Sequence, residues 1–147
     1  METHNAHNKY YFMKNIITLA TILFISLLSS PSWSETMEDL VVRNDLWYKK
    51  FTDIPFTGEI SGRRNGKFKN GERNGLWEWY RYNGDLVNIG NYKDGRKDGI
   101  WQYYHRNGQL DGRGNYKNGY REGIWVIHNK DGTLKETRSY KDGELVK

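Results

Sequence analysis

Residues 99–122 read GIWQYYHRNGQLDGRGNYKNGYRE, and the fold follows from this stretch. Asn107-Gly108 sits between two runs of alternating apolar and polar residues, the strongest short-range signal for a β-hairpin. A type I′ turn needs positive φ at both central positions, which Asn-Gly tolerates. Lys117-Asn118-Gly119 marks a second turn, and Glu122-Gly123 leads into the next such run. Two short strands and two turns are expected. Alternation puts Trp101 and Tyr103 on one face of the first strand and Ile100, Gln102 and Tyr104 on the other. In the second strand Leu110 and Tyr116 share a parity, with Gly112 and Gly114 between them on the same face. Glycines there leave room for a large ring from a neighbouring strand, so cross-strand aromatic contacts supply most of the burial.

Outward from this stretch, the pattern recurs every 24 residues. Trp101 is flanked by Trp77 and Trp125, and Leu110 by Leu86 and Leu134. Phe68, Tyr92, Tyr116 and Tyr140 form one series; Lys69, Lys93, Lys117 and Lys141 form another. Three glycine series keep the same step and are read as turn positions: Gly75, Gly99, Gly123; Gly84, Gly108, Gly132; and Gly71, Gly95, Gly119, Gly143. A shared period across so many series identifies a tandem repeat. One hairpin is marginal alone, so units must stack, with the Trp, Leu and Phe/Tyr series as the repeat core. Before the regular units, residues 46–51 and 55–60 read as strands and residues 61–68 as a half-unit, as suits an atypical capping repeat. The expected organisation is an N-terminal extension and signal (1–34), a loose lead-in (35–45), a divergent cap (46–74) and three repeats (75–147).

The chain has 147 residues, a net charge of +5, no cysteine and sixteen glycines, none before Gly58. That length admits one domain. Without cysteine there is no disulfide scaffold, thiolate zinc site, iron–sulfur cluster or thiol nucleophile. Hydrophobic residues make up 36% and aromatics 15%, so the core must be built from few, large side chains. Such aromatic content argues against full disorder.

From Ile16 to Leu28 runs IITLATILFISLL, uncharged and preceded by Lys14. This is shorter than the roughly 20 residues of a membrane-spanning helix and fits the apolar region of a secretory signal. Ser32 and Ser34 suit the small-residue positions of a signal peptidase site, which places cleavage between Ser34 and Glu35. Met13 then reads as the start. The alternatives are an uncleaved membrane anchor and a buried core segment. Cleavage would remove Lys9, Lys14 and Glu2 and leave a net charge of +4. The expected location is the periplasm or the extracellular space.

Patterned catalytic chemistry is not found, and no cofactor, metal or small-molecule substrate is expected. His105 and His128 are 23 residues apart, one short of the period, and no third ligand is patterned nearby. His105, beside a turn, reads as solvated. Asp94, Asp98, Glu122, Asp131 and Asp142 sit where turn chemistry alone explains them, and Asp85 and Asp111 are a weak carboxylate pair. After Ser34 only Ser61 and Ser139 remain as serines, against a Ser-His-Asp arrangement. Lys69, Lys93, Lys117 and Lys141, with Arg73, Lys97 and Arg121 nearby, would align as a cationic ridge able to attract anionic lipid or acidic polymer. The competing reading is that these lysines keep exposed turns soluble. Nucleic acid is not an expected partner of an exported chain.

The unit G-x-W-x-x-Y-x-x-N-G-x-L-x-x-x-G-x-Y-K-x-G, carried from Gly75 to Lys147, resembles the MORN repeat of the bacterial variant type, groups of which bear the label of YwqK-type antitoxins. The last unit departs from it, with His128 for Tyr104 and Glu136-Thr137-Arg138 for Gly112-Arg113-Gly114. The resemblance implies an all-β fold, an elongated single-layer antiparallel sheet of tandem hairpins; the N-terminal reading adds a signal-peptide helix before it. The resemblance is specific for the repeat and not for an activity. With no catalytic chemistry patterned, and no ligand pocket expected in a single-layer sheet, a non-enzymatic binding or scaffold module for a protein or envelope-surface partner is expected. The alternatives are a peripheral binder of anionic membrane lipids and an antitoxin-like inhibitor of a toxin protein. Trp101→Ala is expected to destabilise the array by about 3–5 kcal/mol, the cost of truncating a buried aromatic. Chemical denaturation measures this, and a loss below about 1 kcal/mol would place Trp101 on an exposed face.

Overall fold

The computed structural model describes residues 34–146. The expected signal helix and the residues before Ser34 lie outside that range. Within it, β1 (Leu40–Arg43) and β2 (Leu46–Lys49) form a two-stranded antiparallel sheet. The second sheet starts with β3 (Gly58–Ile60), β4 (Arg64–Lys69), β5 (Glu72–Tyr80) and β6 (Leu86–Lys93). It continues through β7 (Arg96–Tyr104), β8 (Leu110–Lys117), β9 (Tyr120–His128), β10 (Leu134–Lys141) and β11 (Glu144–Val146). These nine strands lie in chain order, each antiparallel to the next. Among the described residues the only helical element is one 3-10 turn, Met37–Asp39.

The turn type expected at Asn107-Gly108 falls instead at the other turn of each unit. The type I′ turn is not at Asn107-Gly108. It is at Asn118-Gly119, with φ of 52° and 89°, and at its equivalents Asn70-Gly71, Asp94-Gly95 and Asp142-Gly143. At Asn107-Gly108 only the glycine has positive φ, 82°. There Gly108 N–H donates to the His105 carbonyl and His105 N–H donates to the Gln109 carbonyl. This is a three-residue loop, a type I turn closed by a left-handed glycine. Asn107 earns its place through its side chain, whose Oδ1 accepts from Gln109 N–H at 3.2 Å. Asn83 and Asp131 do the same for Asp85 and Thr133. A side chain that caps its own turn explains Asn or Asp without positive φ.

Gly75, Gly99 and Gly123 are not turn residues, as expected above, but lie inside β5, β7 and β9 with φ of 74°, 73° and 70°. They mark bulges. Gly90 faces Trp101 while the next residue, Asn91, faces Asp98, so Gly99 and Ile100 are in excess at that edge. The same break separates Asn65 from Lys67 and Arg113 from Asn115 on the partner strands. The carbonyl at each break accepts an indole N–H: Trp77 Nε1 to Lys67 (3.1 Å), Trp101 Nε1 to Asn91 (3.0 Å) and Trp125 Nε1 to Asn115 (3.2 Å). Each indole lies flat over a glycine of the preceding strand. A Cβ added to Gly66, Gly90 or Gly114 would stand 2.3, 2.3 or 2.2 Å from the ring of Trp77, Trp101 or Trp125. Trp77 and Trp101 are fully buried and Trp125 is 3% exposed. Gly114 thus has the clearance role expected of it. Gly112 does not, since a Cβ added there would meet nothing nearer than the Val126 carbonyl at 3.5 Å.

Phe68, Tyr92 and Tyr140 complete the buried cluster with Leu40 and Ile60, and Tyr116 packs against it half-buried. The leucines do not belong to it. Leu86 and Leu110 are half-buried and Leu134 is 61% exposed. The cause is a second register break in each unit, where Val87, Asp111 or Lys135 is an extra residue beside the leucine and interrupts strict alternation. Residues 35–45 are not a loose lead-in either. Leu40–Arg43 turns back on Leu46–Lys49 through Asn44-Asp45, both with positive φ, and Glu35 bridges Ile60 in parallel. Trp47 joins this small sheet to the large one, with its N–H bonded to the Gly71 carbonyl and its ring 5.6 Å from Phe68.

These contacts separate the two kinds of glycine. Gly90→Ala, forced against a ring that cannot move, is expected to cost about 2–3 kcal/mol in urea denaturation. Gly112→Ala, whose Cβ would make only an ordinary contact with the Val126 carbonyl and whose φ is not positive, is expected to be neutral or to stabilise by about 0.5 kcal/mol through reduced chain entropy. Equal effects at the two positions would refute the assignment.

Candidate binding face

The face that carries the tryptophans is a continuous aromatic file. Phe68 meets Trp77 at 5.0 Å, Tyr92 meets Trp101 at 5.2 Å and Tyr116 meets Trp125 at 5.1 Å, each edge-to-face. Between these pairs, Trp79 bridges Tyr92 and Trp101, and Tyr103 bridges Trp101 and Trp125. Trp79 and Tyr103 are half-buried, so part of each ring faces solvent.

Over this floor stand Arg73, Lys97 and Arg121, one per unit. In a regular strand a residue and the fourth after it share a face about 13 Å apart. The bulge shortens that separation, so each cation folds back onto the tryptophan four residues on. Lys97 Nζ lies 4.1 Å from the Trp101 ring centroid, 4.9 Å from Tyr116 and 5.2 Å from Tyr103. The Arg121 guanidinium lies 4.5 Å from Trp125 and 5.2 Å from Tyr140. That of Arg73 lies 5.2 Å from Trp77 and 5.4 Å from both Tyr92 and Trp47. The turn glycine of the next hairpin pins each backbone, since Gly95, Gly119 and Gly143 donate to the carbonyls of Arg73, Lys97 and Arg121. Cation–π contacts at such distances are each worth about 0.5–2 kcal/mol.

Among the described residues none of the three cations is paired with a carboxylate. Their polar partners are phenols. Lys97 Nζ donates to the Tyr103 hydroxyl (2.8 Å), which lies 3.1 Å from the Tyr116 hydroxyl, and Arg121 Nη1 donates to the Tyr140 hydroxyl (3.0 Å). Arg73 Nε is buried without a partner. Burial lowers the Lys97 ammonium below its ordinary range, and the charges of Arg121 and Arg73 add to the shift. Burial pushes the Tyr116 phenol up, but the Tyr103 hydroxyl, Arg121 and Lys97 outweigh it and hold Tyr116 below its usual value. Tyr103 keeps its proton far into the alkaline range because of burial and the Tyr116 oxygen beside it. Hydrogen bonding from Arg138 and Arg121 lowers Tyr140 despite its desolvation. The face carries three cations without carboxylate partners among the described residues, and its phenols accept hydrogen bonds from Lys97 and Arg121.

The expected ridge of Lys69, Lys93, Lys117 and Lys141 lies elsewhere. These lysines are exposed, each next to a type I′ turn and of opposite parity to the buried Phe68, Tyr92 and Tyr140. Arg73, Lys97 and Arg121, treated above only as their neighbours, are the residues that stack on the aromatic file. A signal for them exists in retrospect, a basic residue four before each tryptophan. His105 is not solvated. Its side chain is 17% exposed, and Nε2 lies 3.0 Å from the His128 carbonyl and 3.3 Å from Asp111 Oδ1. Arg81, one unit earlier, reaches the Tyr104 carbonyl in the same way, so this position ties a loop to the next strand. Asp85 is engaged by Asn83 and Asp111 by His105. No group of three metal-ligating side chains occurs among the described residues. The opposite face shows Leu76, Ile100 and Ile124 exposed beside the bulge glycines.

No curated protein is similar enough to this chain to count as a match. The family model of the MORN repeat variant matches residues 73–94, 97–118 and 121–142. Each matched segment begins at a stacked cation, Arg73, Lys97 or Arg121, and carries one of the buried tryptophans Trp77, Trp101 and Trp125 and one of the tyrosines Tyr92, Tyr116 and Tyr140. Residues 73–142 are therefore three consecutive repeats of the MORN repeat variant family.

Proposed function

We propose that the chain is an exported, non-enzymatic binding module that engages a protein or an envelope surface through its aromatic, cationic face. The observation that carries this reading is the file of Arg73, Lys97 and Arg121, half-buried over aromatic rings and without carboxylate partners among the described residues. A half-buried cation without a counter-charge is stabilised when an anion from outside supplies one. The MORN repeats themselves support a repeat scaffold. The signal-like run before Ser34 supports export. Peripheral attachment to anionic lipid is the weaker reading of the same face, because Trp77, Trp101 and Trp125 are too buried to insert.

Mass spectrometry of the protein isolated from cells is expected to find Glu35 first; a cytoplasmic chain that keeps residues 1–34 would sink the export reading. Pull-downs from envelope fractions with the wild type and with Arg73→Gln/Lys97→Gln/Arg121→Gln test the face, and identical capture by both would overturn it. The charge of the face has its own check in an ultraviolet titration of tyrosinate. Tyr116 and Tyr140 are expected to ionise below the ordinary phenol value, because hydrogen bonds and the neighbouring cations favour the phenolate. Arg121→Gln removes a positive charge facing both, so both should ionise at higher pH. An unchanged titration would show that Arg121 does not set the potential there.

A further inference from the structure

We infer that the cation file recognises an acidic segment in the polyproline II conformation, with a carboxylate at every third residue, lying across the strands. This rests on the proposed role of the face and names the chemistry of its partner.

The argument is one of spacing. Equivalent positions in successive units are two strands apart, about 9.6 Å at ordinary strand separation. Arg73, Lys97 and Arg121 occupy one such position. A polyproline II segment rises about 3.1 Å per residue with three residues per turn, so every third side chain points the same way about 9.3 Å on. The mismatch over three cations is under 1 Å. Same-face residues of a β-strand are about 6.7 Å apart and cannot keep step. Residues seven apart on an α-helix are about 10.5 Å apart and drift by about 2 Å by the third cation.

The surface between the cations fits the rest of such a ligand. Trp79 and Tyr103 repeat with the same step and offer partly exposed rings, the kind of surface on which prolines pack. A carboxylate over Lys97 would meet the ammonium held by Tyr103, while Tyr116 and Arg121 border the same spot. It would also relieve the repulsion of Lys97 by Arg73 and Arg121 that adds to its lowered pKa. A flat membrane would instead require side chains that protrude from the face. The three tryptophans are buried, and the exposed Leu76, Ile100 and Ile124 accompany the bulges rather than the cations.

Fluorescence anisotropy with the full chain and a labelled peptide of about twelve residues, Glu-Pro-Pro repeated, tests this. Binding is expected to weaken as salt rises. Lys97→Gln and Arg121→Gln should each lower affinity about tenfold, and so should a peptide of the same composition with its glutamates clustered. Lys97→Arg should retain binding. Lys93→Gln/Lys117→Gln removes two charges from the exposed turns, twice as many as either single variant, and should change affinity by less than about twofold. Thermal melts monitor folding; if one glutamine variant does not fold, the other and the clustered peptide carry the test. Equal affinity for the clustered peptide, unchanged affinity in the folded glutamine variants, or no peptide binding alongside binding to phosphatidylglycerol vesicles would each overturn the inference. The underlying role of the face fails separately, if the triple variant captures the same envelope partners as the wild type. Loss of that capture without peptide binding would refute only the acidic segment.

Discussion

Everything in the sheet depends on an indole lying on a glycine. A single layer has no second layer to cover its rings, so an aromatic side chain must be buried by its own neighbours. Here the ring of Trp101 lies across the backbone of β6, against Gly90, where any Cβ would collide with it. Its N–H closes on the Asn91 carbonyl, at the point where the bulge breaks the register. The tryptophan, the clearance glycine and the bulge glycine therefore work together. Without the bulge the carbonyl is not presented, and without the clearance the ring stands up into water. Large apolar area and a satisfied indole in one contact are what allow a chain only 36% hydrophobic to hold a sheet.

The same contact organises the charge. The bulge that seats Trp101 also brings Lys97 back over its ring, so the cation–π contact follows from packing. Hydroxyls rather than carboxylates surround the cations. A carboxylate would have neutralised the face, whereas Tyr103, Tyr116 and Tyr140 satisfy hydrogen bonds and leave the charge in place. That combination, partial desolvation with retained charge, suits a surface that meets an anion. It also separates these residues from the exposed turn lysines, whose charges are screened by solvent and worth little individually.

Period, strand content and the aromatic core were legible in the sequence because they depend on residue type and spacing alone. The differences have separate physical causes. Asn-Gly serves both in a type I′ turn and in a type I turn closed by a left-handed glycine, and loop length decides between them, as at Asn107-Gly108. Gly99 looked like a turn residue because a bulge and a turn demand the same positive φ. Leu134 looked like core because parity was counted through Lys135, which the sheet takes up as an extra residue. Strand β1 was hidden by its short length and by a turn, Asn44-Asp45, without glycine. The cations of the face were in view but not separable from the turn lysines, since only the bulge brings a residue and the fourth after it together.

The last unit shows that the clearance glycine answers to its neighbour and not to its own strand. Gly66, Gly90 and Gly114 each precede their tryptophan by 11 residues. The next position in that series is Arg138, and an arginine there would project into any indole laid on β10 in the same way. Instead Arg138 pairs with Glu136 at 2.7 Å and depresses the phenol of Tyr140. The residue that appears as a departure from the repeat is thus compatible with its place. β11 pairs with β10 through Tyr140 and Leu145 without a ring over position 138, so the backbone there need not be bare. Glycine and tryptophan in this repeat are one requirement written on two strands, and a unit can abandon the first only where the second is not asked of it.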